Sequence, residues 1–161
     1  KLSGSLLIPL SLPFILLGIS LRIYFYKIGI TLSLTTVYLG HLVFTIPLAL
    51  LILRARFAQI PITYEEAAWD LGAKRMRTLW EIILPLSLPG LLASMMLTFT
   101  FSFDEFIVAY FLTKFEMTLP IKIWSTLITG FDHRVNAIGT IVFAFSISVA
   151  ILARRFMFPS K

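Results

Sequence analysis

Long runs without a single charged residue constrain this chain more than any other feature. Four runs of 19 to 26 residues contain no Asp, Glu, Lys or Arg, and they cover 2–21, 28–53, 82–103 and 135–153. About 20 apolar residues in a helix can cross the ~30 Å hydrocarbon core of a bilayer. Because 58% of the residues are hydrophobic and only 14% are charged, the sequence predicts an all-α integral membrane protein rather than a soluble domain.

We place the spans at about 4–22, 30–53, 84–112 and 135–154. Between the last two, residues 114–134 are of mixed polarity and predict a loop with a short amphipathic helix from about Pro120 to Ile128. The sequence contains no cysteine, which excludes disulfides and thiolate metal sites.

The net charge of +6 is better explained by membrane topology than by nucleic-acid binding, since the basic residues cluster at the ends of the apolar runs. Nine Lys and Arg residues fall on one side of the predicted spans: Lys1, Arg54, Arg56, Lys74, Arg75, Arg77, Arg154, Arg155 and Lys161. Five fall on the other: Arg22, Lys27, Lys114, Lys122 and Arg134. The positive-inside rule therefore predicts a cytoplasmic location for residues 63–83 and for the C-terminus.

Residues 63–83 form the one long polar stretch between apolar runs. Thr63 precedes Glu66 by three positions, which predicts a capping box at a helix N-terminus. Gly72 predicts the end of that helix or a close backbone approach. A second helical run is expected to stop at Pro85. The residues alone leave open a surface helix lying on the bilayer.

A family resemblance bears on this choice. Glu66-Ala67-Ala68, three residues, Gly72, nine residues and then Ile82-Ile83-Leu84-Pro85 resembles the EAA motif of ABC importer permeases. The resemblance implies the transmembrane fold of a type I ABC importer, with a coupling helix in a cleft of a cytoplasmic ATPase. The ATPase-coupling residues it implies are Glu65, Glu66, Ala67, Ala68, Asp70, Leu71, Gly72, Ile82, Leu84 and Pro85.

The same resemblance implies the partners and the location. These are a cytoplasmic ABC ATPase dimer that binds ATP-Mg, a second permease subunit, a periplasmic or extracellular substrate-binding protein and the bacterial inner membrane. This chain itself would hold no cofactor or metal. Such permeases usually have six spans with the motif between the fourth and fifth, so we expect two N-terminal spans to be missing here. The chain also starts at Lys1 directly before an apolar run.

Asp104 and Glu105 lie inside apolar sequence, where a carboxylate is costly unless it faces a cavity or a partner. Along a helix, Asp104 would lie roughly 30 Å from Leu84, towards the outer mouth. Together with Ser102, the two residues are candidates for a substrate path. A carboxylate beside aromatic rings suits a polyamine, through ion pairing and cation–π contact. The alternative is structural: pairing with Lys114 or Arg134, or marking the membrane interface.

Three further stretches resemble the spermidine/putrescine permease subfamily: Thr100–Phe106, Leu119–Ser125 and Asn136–Thr140. This favours a polyamine as substrate. Ferric iron, phosphonate or another small solute remains an alternative, because related permeases share similar sequence.

Two other classes compete with this interpretation. One is an ATP-independent secondary transporter or channel, and the other is a membrane-anchored scaffold, which the intramembrane carboxylates disfavour. No nucleotide-binding loop or catalytic pattern is present, so we predict no enzymatic activity and no catalytic residue in this chain. His41, alone on a long apolar run, is predicted to be a hydrogen-bonded packing residue.

Overall fold

The computed structural model describes residues 7–130 and 133–157, without the side chains of 133–135, 156 and 157. All regular secondary structure in these described residues is helical. They are α1 (Ile8–Ser11), α2 (Phe14–Lys27), α3 (Leu34–Phe57), α4 (Thr63–Asp70), α5 (Arg75–Thr78), a π-helical turn (Leu79–Ile83), α6 (Leu84–Phe103), α7 (Ile107–Leu112), α8 (Leu119–Thr129) and α9 (His133–Met157). The helix expected near Pro120–Ile128 is thus confirmed as α8.

The first predicted span, 4–22, is not one continuous helix. Leu12 is extended and Pro13 precedes Phe14, so the helix is interrupted between α1 and α2. A proline lacks the N–H that would continue the ladder, and it disfavours helical geometry in the residue before it. The 14 residues of α2 extend only about 21 Å, less than a hydrocarbon core.

A capping box forms at the N-terminus of α3, whereas the sequence predicts one at Thr63. The Ser33 side chain accepts from the Thr35 N–H at 3.2 Å, and the Thr36 hydroxyl accepts from the Ser33 N–H at 2.8 Å. The Thr36 hydroxyl also donates to the Leu112 carbonyl at 2.7 Å. Since Thr36 is buried, this bond joins the start of α3 to the end of α7.

The helix expected to stop at Pro85 instead runs on without a break from Arg75 to Phe103, over 29 residues. The prediction was wrong because the chain adopts a π-helical turn just before the proline. The Leu84 N–H donates to the Leu79 carbonyl, five residues back. This wider turn provides room where a proline ring would otherwise collide with the preceding turn.

The third predicted span, 84–112, contains a break in its helix. The α6 helix ends at Phe103, and a non-helical break at Asp104–Phe106 separates it from α7. The α7 helix packs against α2 and α3, while α6 packs against α3 and α9. The main core lies where α2, α3, α7 and α8 meet, around the side chains of Leu17, Phe44, Val108, Leu112 and Ile121.

Three helices in the described residues are long and apolar enough to cross a membrane: Leu34–Phe57, Arg75–Phe103 and Asn136–Arg155. They coincide with the second, third and fourth predicted spans, apart from their ends. The division of 1–161 into one domain with four spans stays a prediction.

Candidate functional site

The coupling segment, residues 63–83, begins with the short helix α4. This helix ends in a Schellman motif: the Gly72 N–H donates to the Trp69 carbonyl at 2.8 Å and the Ala73 N–H to the Ala68 carbonyl at 2.9 Å. Gly72 has φ +81°, a left-handed conformation that favours glycine. The sequence-based prediction that Gly72 ends this helix is confirmed.

The predicted capping box at Thr63 and Glu66 is not formed. Thr63 is already helical, and the preceding residue, Ile62, takes the N-cap position without any side-chain hydrogen bond. The isoleucine side chain at the N-cap has no oxygen that could accept from the free N–H groups, and the Thr63 hydroxyl lies one position too late to serve as the N-cap acceptor. Glu65 and Glu66 nevertheless lie in the first turn, where carboxylates are favoured by the helix dipole.

Several apolar side chains of the coupling segment lie on the surface of the chain. Leu71 is 90% exposed, Met76 is 65% exposed and Trp80 is 62% exposed. Only a few residues anchor the segment, among them Ala68, Thr78 and Ile83, which are buried. These side chains are therefore available for contact with another protein or with the bilayer surface.

The other predicted coupling residues divide between surface and interior. Exposed ones are Glu66, Ala67, Asp70, Gly72 and Pro85, whereas Glu65, Ile82 and Leu84 are half-buried. A cleft of about 480 Å³ opens between α4 and the π-helical turn, lined partly by Glu65, Trp69 and Met76. This cleft could accept a side chain of a docked partner.

The helix break, residues 104–106, lies at the opposite end of α6. The Glu105 carboxylate turns inward and is only 7% exposed. Both of its oxygens accept from the Val108 N–H at 3.0 Å, and one accepts from the Ala109 N–H at 3.2 Å. Glu105 therefore satisfies two backbone groups that the start of α7 would otherwise leave unpaired in the core.

His41 lies beside this carboxylate. Its Nε2 is 3.4 Å from Glu105 Oε2, and its Nδ1 is 2.7 Å from the Ser102 hydroxyl oxygen. His41 is buried and hydrogen-bonded to Ser102, which fits the predicted packing role, and the structure places Glu105 beside it. No sequence signal could identify that partner, because the two residues are 64 positions apart and meet only when α3 packs against the break.

Ser102, His41 and Glu105 share the residue types of a hydrolytic triad, but their arrangement is structural. The Glu105 oxygens are occupied by backbone N–H groups of α7, and both ionisable members are buried. A triad also needs a carboxylate free to orient the histidine and a place for a substrate carbonyl beside the hydroxyl. The cluster instead holds α3, the end of α6 and the start of α7 in register.

Asp104 differs from Glu105 in its exposure and in its hydrogen-bond partner. It is exposed, and one of its oxygens accepts from the Ser146 hydroxyl on α9 at 3.0 Å. Among the described side chains it forms no ion pair, and Lys114 lies over the Phe115 ring at 5.1 Å. The Arg134 side chain, the other suggested partner, lies outside the described residues.

A pocket of about 560 Å³ opens beside Asp104. Its lining residues are Phe14, Thr100, Phe101, Asp104, Glu105, Phe106 and Ile107. The Phe14, Phe44 and Phe101 rings pack together with centroids 5.1 to 6.0 Å apart. Ser102 is half-buried against His41 and is not among the lining residues. The pocket therefore combines one exposed carboxylate with aromatic walls.

Fold and sites together define an all-helical, multi-pass membrane protein with the coupling segment at one end of α6 and an acidic, aromatic pocket at the other. Residues 2–158 match the family of binding-protein-dependent transport system inner membrane components. The match covers nearly the whole chain, so this chain belongs to that family of ABC importer permeases. The resemblance of its motifs to such permeases and the predicted fold class are thereby confirmed.

Individual relatives differ in the substrate that their names indicate. The chain is 34% identical over 154 residues to the spermidine/putrescine transport system permease protein PotC of Escherichia coli K12, covering 94% of this chain and 58% of the relative. It is 28% identical over 141 residues to the putrescine transport system permease protein PotI of the same strain, covering 83% and 50%.

A third relative is the trehalose/maltose transport system permease protein MalG of Thermococcus litoralis. The identity is 34% over 136 residues, covering 81% of this chain and 49% of the relative. The chain thus spans between about half and three fifths of the length of these relatives.

Proposed function

We propose that this chain is part of the membrane subunit of an ABC importer that takes up a polyamine such as spermidine or putrescine. The observation that carries the proposal is the pocket in which the exposed Asp104 carboxylate lies among phenylalanine rings. Family membership and the names of two relatives support the same assignment.

The chemistry of the pocket suits an alkyl ammonium ion. Asp104 would accept charge-assisted hydrogen bonds from a primary ammonium group. The faces of Phe101 and Phe106 would attract the cation and cover the adjacent methylene groups. Glu105 lines the same pocket, but its oxygens are committed to α7 and to His41. The substrate path would therefore depend on Asp104, while Glu105 bonds to the backbone at the start of α7 and Ser102 bonds to the His41 side chain.

The coupling segment would face the cytoplasm and dock α4 into a cleft of the ATPase. Exposed Leu71, Met76 and Trp80 would supply apolar contact, and Glu65, Glu66 and Asp70 would supply charge at its edge. The ATPase would bind ATP-Mg, and this chain would need no cofactor or metal and would carry out no catalysis. A second permease subunit and a substrate-binding protein on the outer side would complete the importer, located in the bacterial inner membrane.

Transport would follow from two conformations of the membrane subunits. Closure of the ATPase dimer would push on the coupling segment, and the membrane helices would rock between inward- and outward-open states. The helix Arg75–Phe103 joins the segment to the pocket directly. A push at one end of this helix would therefore reach the break at its other end.

A sugar is a second candidate substrate, favoured by the similarity to a trehalose/maltose permease. Aromatic rings can stack on sugar faces, and Asp104 with Ser146 could hydrogen-bond hydroxyl groups. Ferric iron or phosphonate would need different ligands. Among the described residues, no group of three or more His, Cys, Asp or Glu side chains could hold a metal ion.

The test is uptake of labelled putrescine and spermidine by the full-length permease with its ATPase, second permease and binding protein. We expect uptake to fall about tenfold or more in Asp104→Asn, as expected for the loss of one charge-assisted contact. Asp104→Glu, which keeps the charge, is expected to retain a substantial part. Unlabelled putrescine should compete, whereas trehalose, maltose, ferric ion and phosphonate should not.

Two results would contradict the polyamine assignment. One is wild-type uptake of trehalose or another solute without any uptake of polyamine. The other is unchanged polyamine uptake in Asp104→Asn, which would place the substrate path elsewhere. Assembly of each variant with its partners, measured by co-purification, separates a loss of transport from a loss of the complex.

A further inference from the structure

Arg56 on the last turn of α3 packs into a notch on α6. Its aliphatic stem lies directly over Gly90, which is buried. A methyl group at position 90 would come within 2.7 Å of Arg56 Cβ and closer still to its Cγ. Glycine is therefore the residue that lets the arginine stem reach the α6 backbone.

The guanidinium group continues this contact with hydrogen bonds. Its Nη2 donates to the Leu86 carbonyl at 2.8 Å, and its Nη1 donates to Gln59 Oε1 at 3.4 Å. The Leu86 carbonyl lies in α6 and Gln59 follows α3. Hydrogen bonds from a charged donor are about twice as strong as neutral ones. The Arg56–Leu86–Gly90 contact, called the Arg56 clamp below, thus joins the two helices through both packing and charge.

The Arg56 clamp lies where the coupling segment joins the two helices on either side of it. The coupling segment leaves α3 after Phe57 and enters α6 through the π-helical turn. The clamp crosses between these two helices immediately beside the segment. Without it, the packing of α6 against α3 would remain, but the entry into α6 passes through a π-helical turn followed by Pro85 and Pro89, and π turns and prolines are sites where helices bend.

We propose that Arg56 is a positioning residue that makes α3, α6 and the coupling segment move as one body, so that ATP hydrolysis is converted into transport. This inference rests on the proposed function. Sequence alone gives Arg56 the same meaning as Arg54, a basic residue at the end of a span. The structure separates the two, because Arg54 is exposed and Arg56 is half-buried in the notch.

The experiment uses the full-length permease with its ATPase, second permease and binding protein in proteoliposomes. It measures the amount of solute transported per ATP hydrolysed. We expect Arg56→Ala to hydrolyse ATP at close to the wild-type rate but to transport about tenfold less solute per ATP, the factor that corresponds to one charge-assisted hydrogen bond. Arg54→Ala is the matched control and should keep the wild-type ratio.

Gly90→Ala provides an independent route to the same contact. The added methyl group would displace the Arg56 stem, so Gly90→Ala should lower the transport ratio in the wild-type background. In the Arg56→Ala background it should have a smaller effect, because the closest contact, with Cγ, is gone while the Cβ at position 56 still lies 2.7 Å from the added methyl group. Arg56→Lys, which keeps the stem and the charge but not the planar guanidinium, should fall between wild type and Arg56→Ala.

Three results would overturn the clamp. One is an unchanged ratio in both Arg56→Ala and Gly90→Ala when assembly is intact. Another is equal loss in Arg54→Ala and Arg56→Ala, which would indicate net charge rather than position. The third is additive loss in the Arg56→Ala, Gly90→Ala double variant. A wild-type complex in which ATP hydrolysis drives no uptake would instead contradict the proposed function itself.

Discussion

The coupling segment and the helix break are the two polar interruptions of the apolar helices, and they use acidic residues in opposite ways. Glu65, Glu66 and Asp70 lie along a short helix whose apolar neighbours are open to solvent. At the break, Glu105 is buried with hydrogen bonds to two backbone N–H groups and a histidine within 3.4 Å. The acidic side chains of the coupling segment lie mostly on the surface, whereas Glu105 makes its hydrogen bonds inside the molecule.

A carboxylate in apolar sequence therefore does not by itself indicate a substrate contact. Asp104 and Glu105 are adjacent, but they point to different neighbours: Ser146 on α9 for one, His41 on α3 for the other. Burial at the break makes its polar contacts costly to remove. Because most side chains of the coupling segment are exposed, we expect their substitution to affect assembly with the proposed ATPase more than folding.

The largest expected effect on stability is at the break. Glu105→Ala would leave the buried Val108 and Ala109 N–H groups without their acceptor and His41 without its charged neighbour. Removing one partner of such a buried network typically costs about 3 kcal/mol or more. The measurement is the free energy of unfolding of the purified chain in detergent micelles with increasing denaturant.

A double-mutant cycle tests whether His41 and Glu105 stabilise the break together. If His41 and Glu105 act as one unit, His41→Leu and Glu105→Ala should show a coupling free energy of about 1 kcal/mol or more in a double-mutant cycle. Purely additive losses would mean that the two residues stabilise the break independently. Asp104→Asn serves as the matched control, since Asp104 is exposed, and it should change the free energy of unfolding by less than about 1 kcal/mol.

A middle-sized effect is expected at the end of α4. Gly72→Ala would place a side chain in a left-handed conformation at φ +81°, which costs about 1 kcal/mol. Nothing lies within 4 Å of the added Cβ, so the cost comes from the backbone and not from collision. Co-purification with the ATPase should fall because the segment presents Leu71 and Met76 differently, and Gly139→Ala, within α9, is the control.

An unchanged amount of co-purified ATPase in Gly72→Ala would indicate that the segment tolerates a different turn. It would also weaken the contrast with the break, because the backbone geometry at the end of α4 would then not affect binding of the ATPase. Leu71→Ser tests the same surface without altering the backbone. It should leave unfolding unaffected while reducing the bound ATPase.

The smallest effect is expected for the ion pair between Arg77 and Glu81. Arg77 Nε lies 2.9 Å from Glu81 Oε2, and both side chains are more than half exposed. Exposed pairs at i and i+4 stabilise a helix by about 0.3–0.5 kcal/mol. Glu81→Gln should therefore shift the free energy of unfolding by no more than that, and 1 M salt should abolish the difference. A larger shift would mean that the coupling segment is more tightly packed than its exposure indicates.

Much of the architecture could be predicted from patterns of residues along the chain. Long uncharged runs indicate helices of membrane-spanning length, and Gly72 indicates the end of α4. Three details could not be predicted. The helix passes Pro85 because of the π-helical turn, the break at Asp104–Phe106 interrupts an apolar run, and Thr63 lies inside the helix rather than at its cap. Each depends on local backbone geometry that several sequences can adopt.

The class of the protein could be predicted from the sequence, because hydrophobicity, charge clustering and the spacing of a linear motif are properties of consecutive residues. Which polar residues make contacts inside the fold is visible only in the tertiary structure. Glu105 acquires its partner when α3 brings His41 against the break, and Arg56 differs from Arg54 because Gly90 on another helix opens a notch beneath it. Such pairings depend on distances between residues far apart in the chain, and no periodicity in a single sequence records them.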